Sequence, residues 1–168
     1  MKNINLEFED IIGRYFNLKV KKQNYRIYVE EAGKGTPLLC LHTAGSDGRQ
    51  FRHILNDKKI TDNYRVIVFD LPWHGKSNPP EGYELNDYKL TTDLYKQIIM
   101  SFCEQYELKS PVIMGCSMGG RVVLHLALEQ GNYFRAVIAL EGADKLEPYY
   151  DLDSVSYTHL TLPTKRLV

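Results

Sequence analysis

The chain has 168 residues, enough for one domain with its own hydrophobic core. Lys plus Arg and Asp plus Glu both number 21, so the formal net charge is zero, and neither nucleic acid nor an anionic membrane is an expected partner. The three cysteines, Cys40, Cys103 and Cys116, are dispersed among apolar segments, which argues against a disulfide framework or a metal site and suits a reducing cytoplasm. The acidic first ten residues lack the apolar run of a signal peptide, and no segment approaches transmembrane length.

In chain order, Phe16–Val20 and Tyr25–Glu30 alternate apolar with polar around Lys21–Asn24, which predicts a β-hairpin with one solvated face. Leu38–Leu41 and Tyr64–Phe69 are short apolar runs, read as strands buried on both faces. Arg49–Leu55 predicts a short helix. From about Tyr88 to Tyr106, Leu90, Leu94, Ile98, Phe102 and Tyr106 step by four, the stripe of an amphipathic helix. Val112–Met114 predicts a buried strand, Arg121–Gln130 a helix stopped by Gly131, and Arg135–Leu140 one more buried strand. Apolar strands alternating with helices predict an α/β fold: a mostly parallel sheet with helices on both faces, preceded by the hairpin. In such sheets function collects in the loops after the strands' carboxyl ends. Here those loops are His42–Gly48, Asp70–Ser77, Gly115–Gly119 and Glu141–Asp144.

Gly115-Cys116-Ser117-Met118-Gly119 is a G-x-S-x-G between a strand and a helix, the setting of a nucleophile elbow. A strained turn holds such a serine above a helix N-terminus, whose free N–H groups and partial positive charge suit an oxyanion. Cys116 is a rival nucleophile at the x position, where it is expected to turn toward packing and stay inert. His53 is expected at the surface, His125 packed, His74 as loop structure, and Asp70 as a brace of its own loop.

Over roughly residues 20–153 the chain resembles the α/β-hydrolase family. The resemblance rests on Leu41-His-Thr-Ala-Gly45, Phe69-Asp-Leu-Pro-Trp-His-Gly-Lys-Ser77 and Gly115-Cys-Ser-Met-Gly119, each in its expected place. It implies Ser117 as nucleophile, with the Met118 backbone N–H as one oxyanion donor. The second donor would be Ala44, or alternatively Thr43, which stands where a glycine commonly follows the histidine. His42 is expected to brace its loop rather than act as base, and together with Trp73 to line the substrate pocket. A serine, where dehalogenases and epoxide hydrolases carry aspartate, implies acyl chemistry on a small ester or other acyl-type carbonyl substrate. A non-catalytic ligand-binding protein and an acyltransferase are the alternatives. No metal or organic cofactor is implied, and the partner is a small-molecule substrate.

The family order is Ser, acid, His. Asp144 is a weak acid candidate. The set Ser117, Asp144, Asp151 or Asp153, and His159 is rejected, because the strands that would carry His159 to the site are missing. The expectation is therefore an incomplete fold lacking its lid and last strands, with residues 1–153 as the native domain part. Residues 155–164 resemble translated sequencing-adapter DNA, which makes 154–168 an expected non-native tail. The chain alone is expected to be inactive and poorly stable.

Overall fold

The computed structural model describes residues 8–80, 82–84 and 89–142. Asp144 and the segment read as a tail lie outside these residues.

Six strands form one sheet: β1 (Ile12–Val20), β2 (Gln23–Ala32), β3 (Thr36–Leu41), β4 (Tyr64–Phe69), β5 (Val112–Cys116) and β6 (Ala136–Leu140). Their order is β1-β2-β4-β3-β5-β6. The hairpin β1–β2 is antiparallel, and β2 joins β4 antiparallel, with Val29 opposite Phe69. The pairs β3–β4, β3–β5 and β5–β6 are parallel. The hairpin is longer than its sequence pattern announced, and it turns over Lys21 and Lys22, Lys21 taking a φ of 54°. Its alternation holds: Leu18, Val20, Tyr25, Ile27 and Val29 face inward.

The period of two divides the central strands between two layers. Leu39, Leu41, Ile67, Phe69 and Ile113 pack under α3 (Thr92–Gln105) and α4 (Met118–Gln130). Leu38, Cys40, Val66, Val68, Val112 and Met114 face the other side, where Phe51 and Leu55 cover them. That cover is a 3-10 turn, Gly48–Phe51, running into α1 (Arg52–Asn56) and α2 (Lys58–Thr61). Each fully buried aliphatic side chain here contributes about 1.5–3 kcal/mol relative to exposure.

Helix α3 begins where the Thr91 hydroxyl accepts the Leu94 N–H at 3.1 Å. Its buried stripe, Tyr95, Ile98, Ile99, Phe102 and Cys103, stacks Phe102 on Phe69 with centroids 4.7 Å apart. On the same face Glu31, only 9% exposed, accepts from Arg14 and from Arg65, whose Nε lies 2.8 Å away. The Arg65 guanidinium also lies over the Tyr106 ring, 5.2 Å from its centroid.

One expectation is corrected. β6 is not buried on both faces: Ile138 is 40% and Leu140 44% exposed. The strand pairs with β5 alone among the described residues, and α4 covers one of its faces. Among the described residues, no helix is long and apolar enough to cross a membrane.

Candidate active site

The elbow is built by close packing of backbone. A Cβ on Gly115 would stand 2.2 Å from the Gly119 carbonyl oxygen, and one on Gly119 would stand 2.5 Å from that of Leu41. Both distances exclude any side chain, which is why small residues flank the serine. Between them Ser117 adopts φ 52° and ψ −110°, a strained conformation for a residue with a Cβ. The strain is held by two hydrogen bonds. The Ser117 N–H donates to Leu140 O at 2.9 Å, and the Ser117 carbonyl accepts the Arg121 N–H at 2.8 Å. Ser117 is thus pinned between β6 and the first turn of α4, with its side chain exposed. The helix starts at Met118, three residues earlier than the apolar pattern suggested.

The loop after β3 approaches from the neighbouring strand. The Thr43 N–H donates to Gln50 Oε1 at 2.9 Å, so that donor is already engaged. Among the described residues, no acceptor takes the N–H of Ala44 or of Met118. Gln50, the residue that occupies Thr43, gave no signal in the sequence, since an exposed glutamine at the start of a short helix has many uses.

His42 is fully buried. Its Nδ1 donates to Thr43 O at 2.9 Å, and its Nε2 accepts the Leu71 N–H at 3.1 Å. The two bonds fix one neutral tautomer. Burial lowers its pKa first, the neighbouring His74 lowers it further, and the Thr43 carbonyl with Asp70 and Asp47 opposes them. A ring with both nitrogens used is a brace. The expectation that His42 also lines the substrate pocket is corrected, because none of its surface is open to a ligand.

The same brace links the loop after β4. Asp70 accepts the Gly48 N–H and the Lys76 N–H, each at 2.7 Å. The Ser77 hydroxyl donates to Asp70 O at 2.6 Å and accepts the Tyr28 N–H at 2.9 Å, tying this loop to the hairpin. Asp47 is held down to about 2, chiefly by its hydrogen bond to the Arg49 side chain. Ser77 and Gly48 therefore shape the site without touching it, roles hidden in sequence because their partners are backbone groups far along the chain.

His74 binds Pro72 O through Nδ1 at 3.0 Å, and its ring lies 5.1 Å from that of His42. Trp73 stands in the loop after β4, 48% exposed. His53 is exposed on α1, and His125 lies on α4 with its Nε2 buried and without a hydrogen-bond partner among the described residues. Among the described residues no side chain is hydrogen-bonded to the Ser117 hydroxyl. The three cysteines are free, and burial pushes Cys40 and Cys103 up to about 12.

Comparison with known proteins adds to this geometry. A family model described as alpha/beta hydrolase fold matches residues 36–163. The magnesium-chelatase 30 kDa subunit of Rhodobacter capsulatus is 34% identical over 95 residues, 56% of this chain and 31% of that protein. The pimeloyl-acyl-carrier protein methyl ester esterase of Vibrio cholerae serotype O1 is 23% identical over 142 residues, 84% of this chain and 51% of that protein. The crystal structure of the Vigna radiata epoxide hydrolase VrEH1 superposes with a TM-score of 0.64 at 19% identity, over 76% of this chain and 39% of that one. At that identity the likeness is one of fold. The chain spans about half or less of the length of each of these relatives.

Proposed function

Because the chain belongs to the alpha/beta hydrolase fold family, we propose that its protein is a serine hydrolase cleaving a small ester or another acyl-type carbonyl compound. One observation carries this reading: Ser117 is exposed at a strained elbow at the start of α4, and the backbone N–H groups of Met118, next in the chain, and of Ala44, in the loop after the neighbouring strand β3, have no acceptor among the described residues. In this reading Ser117 Oγ attacks the carbonyl carbon and the carbonyl oxygen becomes an oxyanion. Met118 and Ala44 donate to it, each donor stabilising the transition state by roughly 3–4 kcal/mol. Collapse expels the alcohol and leaves an acyl-enzyme on Ser117, which water then hydrolyses.

Serine needs a base to lose its proton. His42 has both nitrogens engaged, so the base and its acid partner are assigned to the parent protein outside the described residues. The reading includes a cytoplasmic location, which three free cysteines support. The test is a fluorophosphonate probe on the complete protein encoded by the gene that carries this chain. Labelling that Ser117→Ala abolishes is the expected result; labelling that persists in that variant overturns the assignment.

A second reading, a ligand-binding protein on this fold, draws on one observation: no side chain among the described residues engages the Ser117 hydroxyl. Absence of labelling in the complete protein would favour it.

A further inference from the structure

Trp73 combines two features that a merely structural loop residue has no need of. Its φ is 66°, in the left-handed region that favours glycine and that a bulky side chain occupies only when its surroundings impose it. Those surroundings are backbone bonds: Trp73 N–H to Asn78 O at 3.1 Å, and His74 N–H to Leu71 O at 2.9 Å. Yet the indole so placed is not buried. It is 48% exposed and meets a second exposed aromatic, Tyr83, at 40%. The ring centroids are 5.1 Å apart and the planes lie at 72°. Two rings near a right angle form a corner, in which a flat ring can stack on one face and meet the other edge to face.

The corner lies on the catalytic edge of the sheet. Trp73 follows β4, Ser117 follows β5, and β3 alone lies between these strands. Two strand spacings separate the strand ends by about 10 Å. His74, the next residue, has its ring 5.1 Å from that of His42, which holds the Thr43 carbonyl. A substrate whose carbonyl sits between Ala44 and Met118 can therefore lay an apolar arm toward Trp73.

We infer that the Trp73–Tyr83 corner is a specificity element that selects substrates carrying an aromatic ring on the acyl arm. The inference rests on the serine-hydrolase reading for its reaction, while the binding corner can be tested apart from it.

The test uses the complete protein and two esters matched in carbon number, methyl 4-phenylbutyrate and methyl decanoate. The wild type is expected to favour the aryl ester in kcat/KM. In Trp73→Gly and Tyr83→Leu this preference falls about two- to tenfold, the size of an aromatic pair interaction. Trp73→Gly relieves the left-handed φ, so its thermal midpoint is expected to hold or rise. An unchanged ester ratio in both variants overturns the inference, and so does a lowered midpoint with equal loss on both esters.

Trp73 is the sole tryptophan of the given chain, and in the complete protein the emission lost between Ser117→Ala and the same variant carrying Trp73→Phe is the part that reports the corner. In Ser117→Ala, which should bind without turnover, the aryl ester is expected to shift or quench that emission at concentrations where the alkyl ester does not. If neither ester is hydrolysed by the wild type, the hydrolase reading fails on its own, and this titration still decides the corner: an emission insensitive to the aryl ester overturns it.

Discussion

His42 Nε2 accepts the Leu71 N–H at 3.1 Å, so a single imidazole joins the loop after β3 to the loop after β4. The bond exists only while Nε2 is unprotonated. Burial lowers the pKa of His42 in the folded protein, whereas the unfolded chain keeps the ordinary value of 6.5. Above that value the brace contributes its full stability. As the pH falls from 6.5 through the lowered folded value, the unfolded state takes a proton that the folded state resists, and stability is lost. His42→Gln keeps an acceptor and removes the titration. The stability gap between wild type and this variant, followed by urea unfolding from about pH 8 to about pH 5, should shift against the wild type as the pH falls. A constant gap would remove His42 from the acid response.

His42→Ala leaves the buried Leu71 N–H without its acceptor. A cost of about 1–3 kcal/mol is expected, read from denaturant midpoints, and larger than the cost of His42→Gln.

Gly119→Ala places a methyl 2.5 Å from Leu41 O, a backbone atom that cannot step aside without shifting β3. The expected loss is about 1–3 kcal/mol, with probe labelling of Ser117 reduced in the protein that still folds. Full stability and full labelling together would show that the elbow is looser than its contacts imply.

Ser117→Gly removes the Cβ from a residue at φ 52° and ψ −110°. Release of that strain should raise stability by about 1–3 kcal/mol while ending the fluorophosphonate labelling that the proposed function expects. Ser117→Ala keeps the Cβ and is the control: it should lose the chemistry and gain much less. Equal thermal midpoints for the two variants would locate the strain elsewhere.

Glu31 sits between Arg14 and Arg65 with its own side chain 11% exposed, whereas the arginines are 52% and 35% exposed. Water screens the two cations, so Glu31→Ala should cost about 1–2 kcal/mol, below the cost of breaking a fully buried pair. Chemical denaturation with and without added salt would check this, the difference shrinking as salt rises.

The continuous apolar runs in Leu38–Leu41 and Tyr64–Phe69 made the central strands legible, because a short apolar run bounded by loop residues is what a strand covered on both faces requires. The elbow was legible for a similar reason: glycines two residues either side of Ser117 are what touching backbones demand. β6 was misread as fully buried since Ala136–Leu140 has the same apolar composition whether both of its faces are covered or one is. α2 was missed because Lys58–Thr61 is a single turn, too short to show a period. The engagement of Thr43 by Gln50 depends on a side-chain rotamer across a loop, which no local pattern encodes. The aromatic corner needed the φ of Trp73, a quantity that composition does not carry.

The pinning of Ser117 by Leu140 and the contact of Gly119 with Leu41 have a kinetic consequence. Neither partner is local: Leu41 belongs to β3 and Leu140 to β6, on opposite sides of the elbow strand. The strand–turn–helix unit can therefore form its secondary structure early, while Ser117 takes its elbow geometry only after both flanking strands have docked. Loop-closure entropy makes such long-range contacts slow to assemble. During refolding of the complete protein the helical signal should return before Ser117 takes up the proposed fluorophosphonate label, which would make that serine a clock for completion of the sheet.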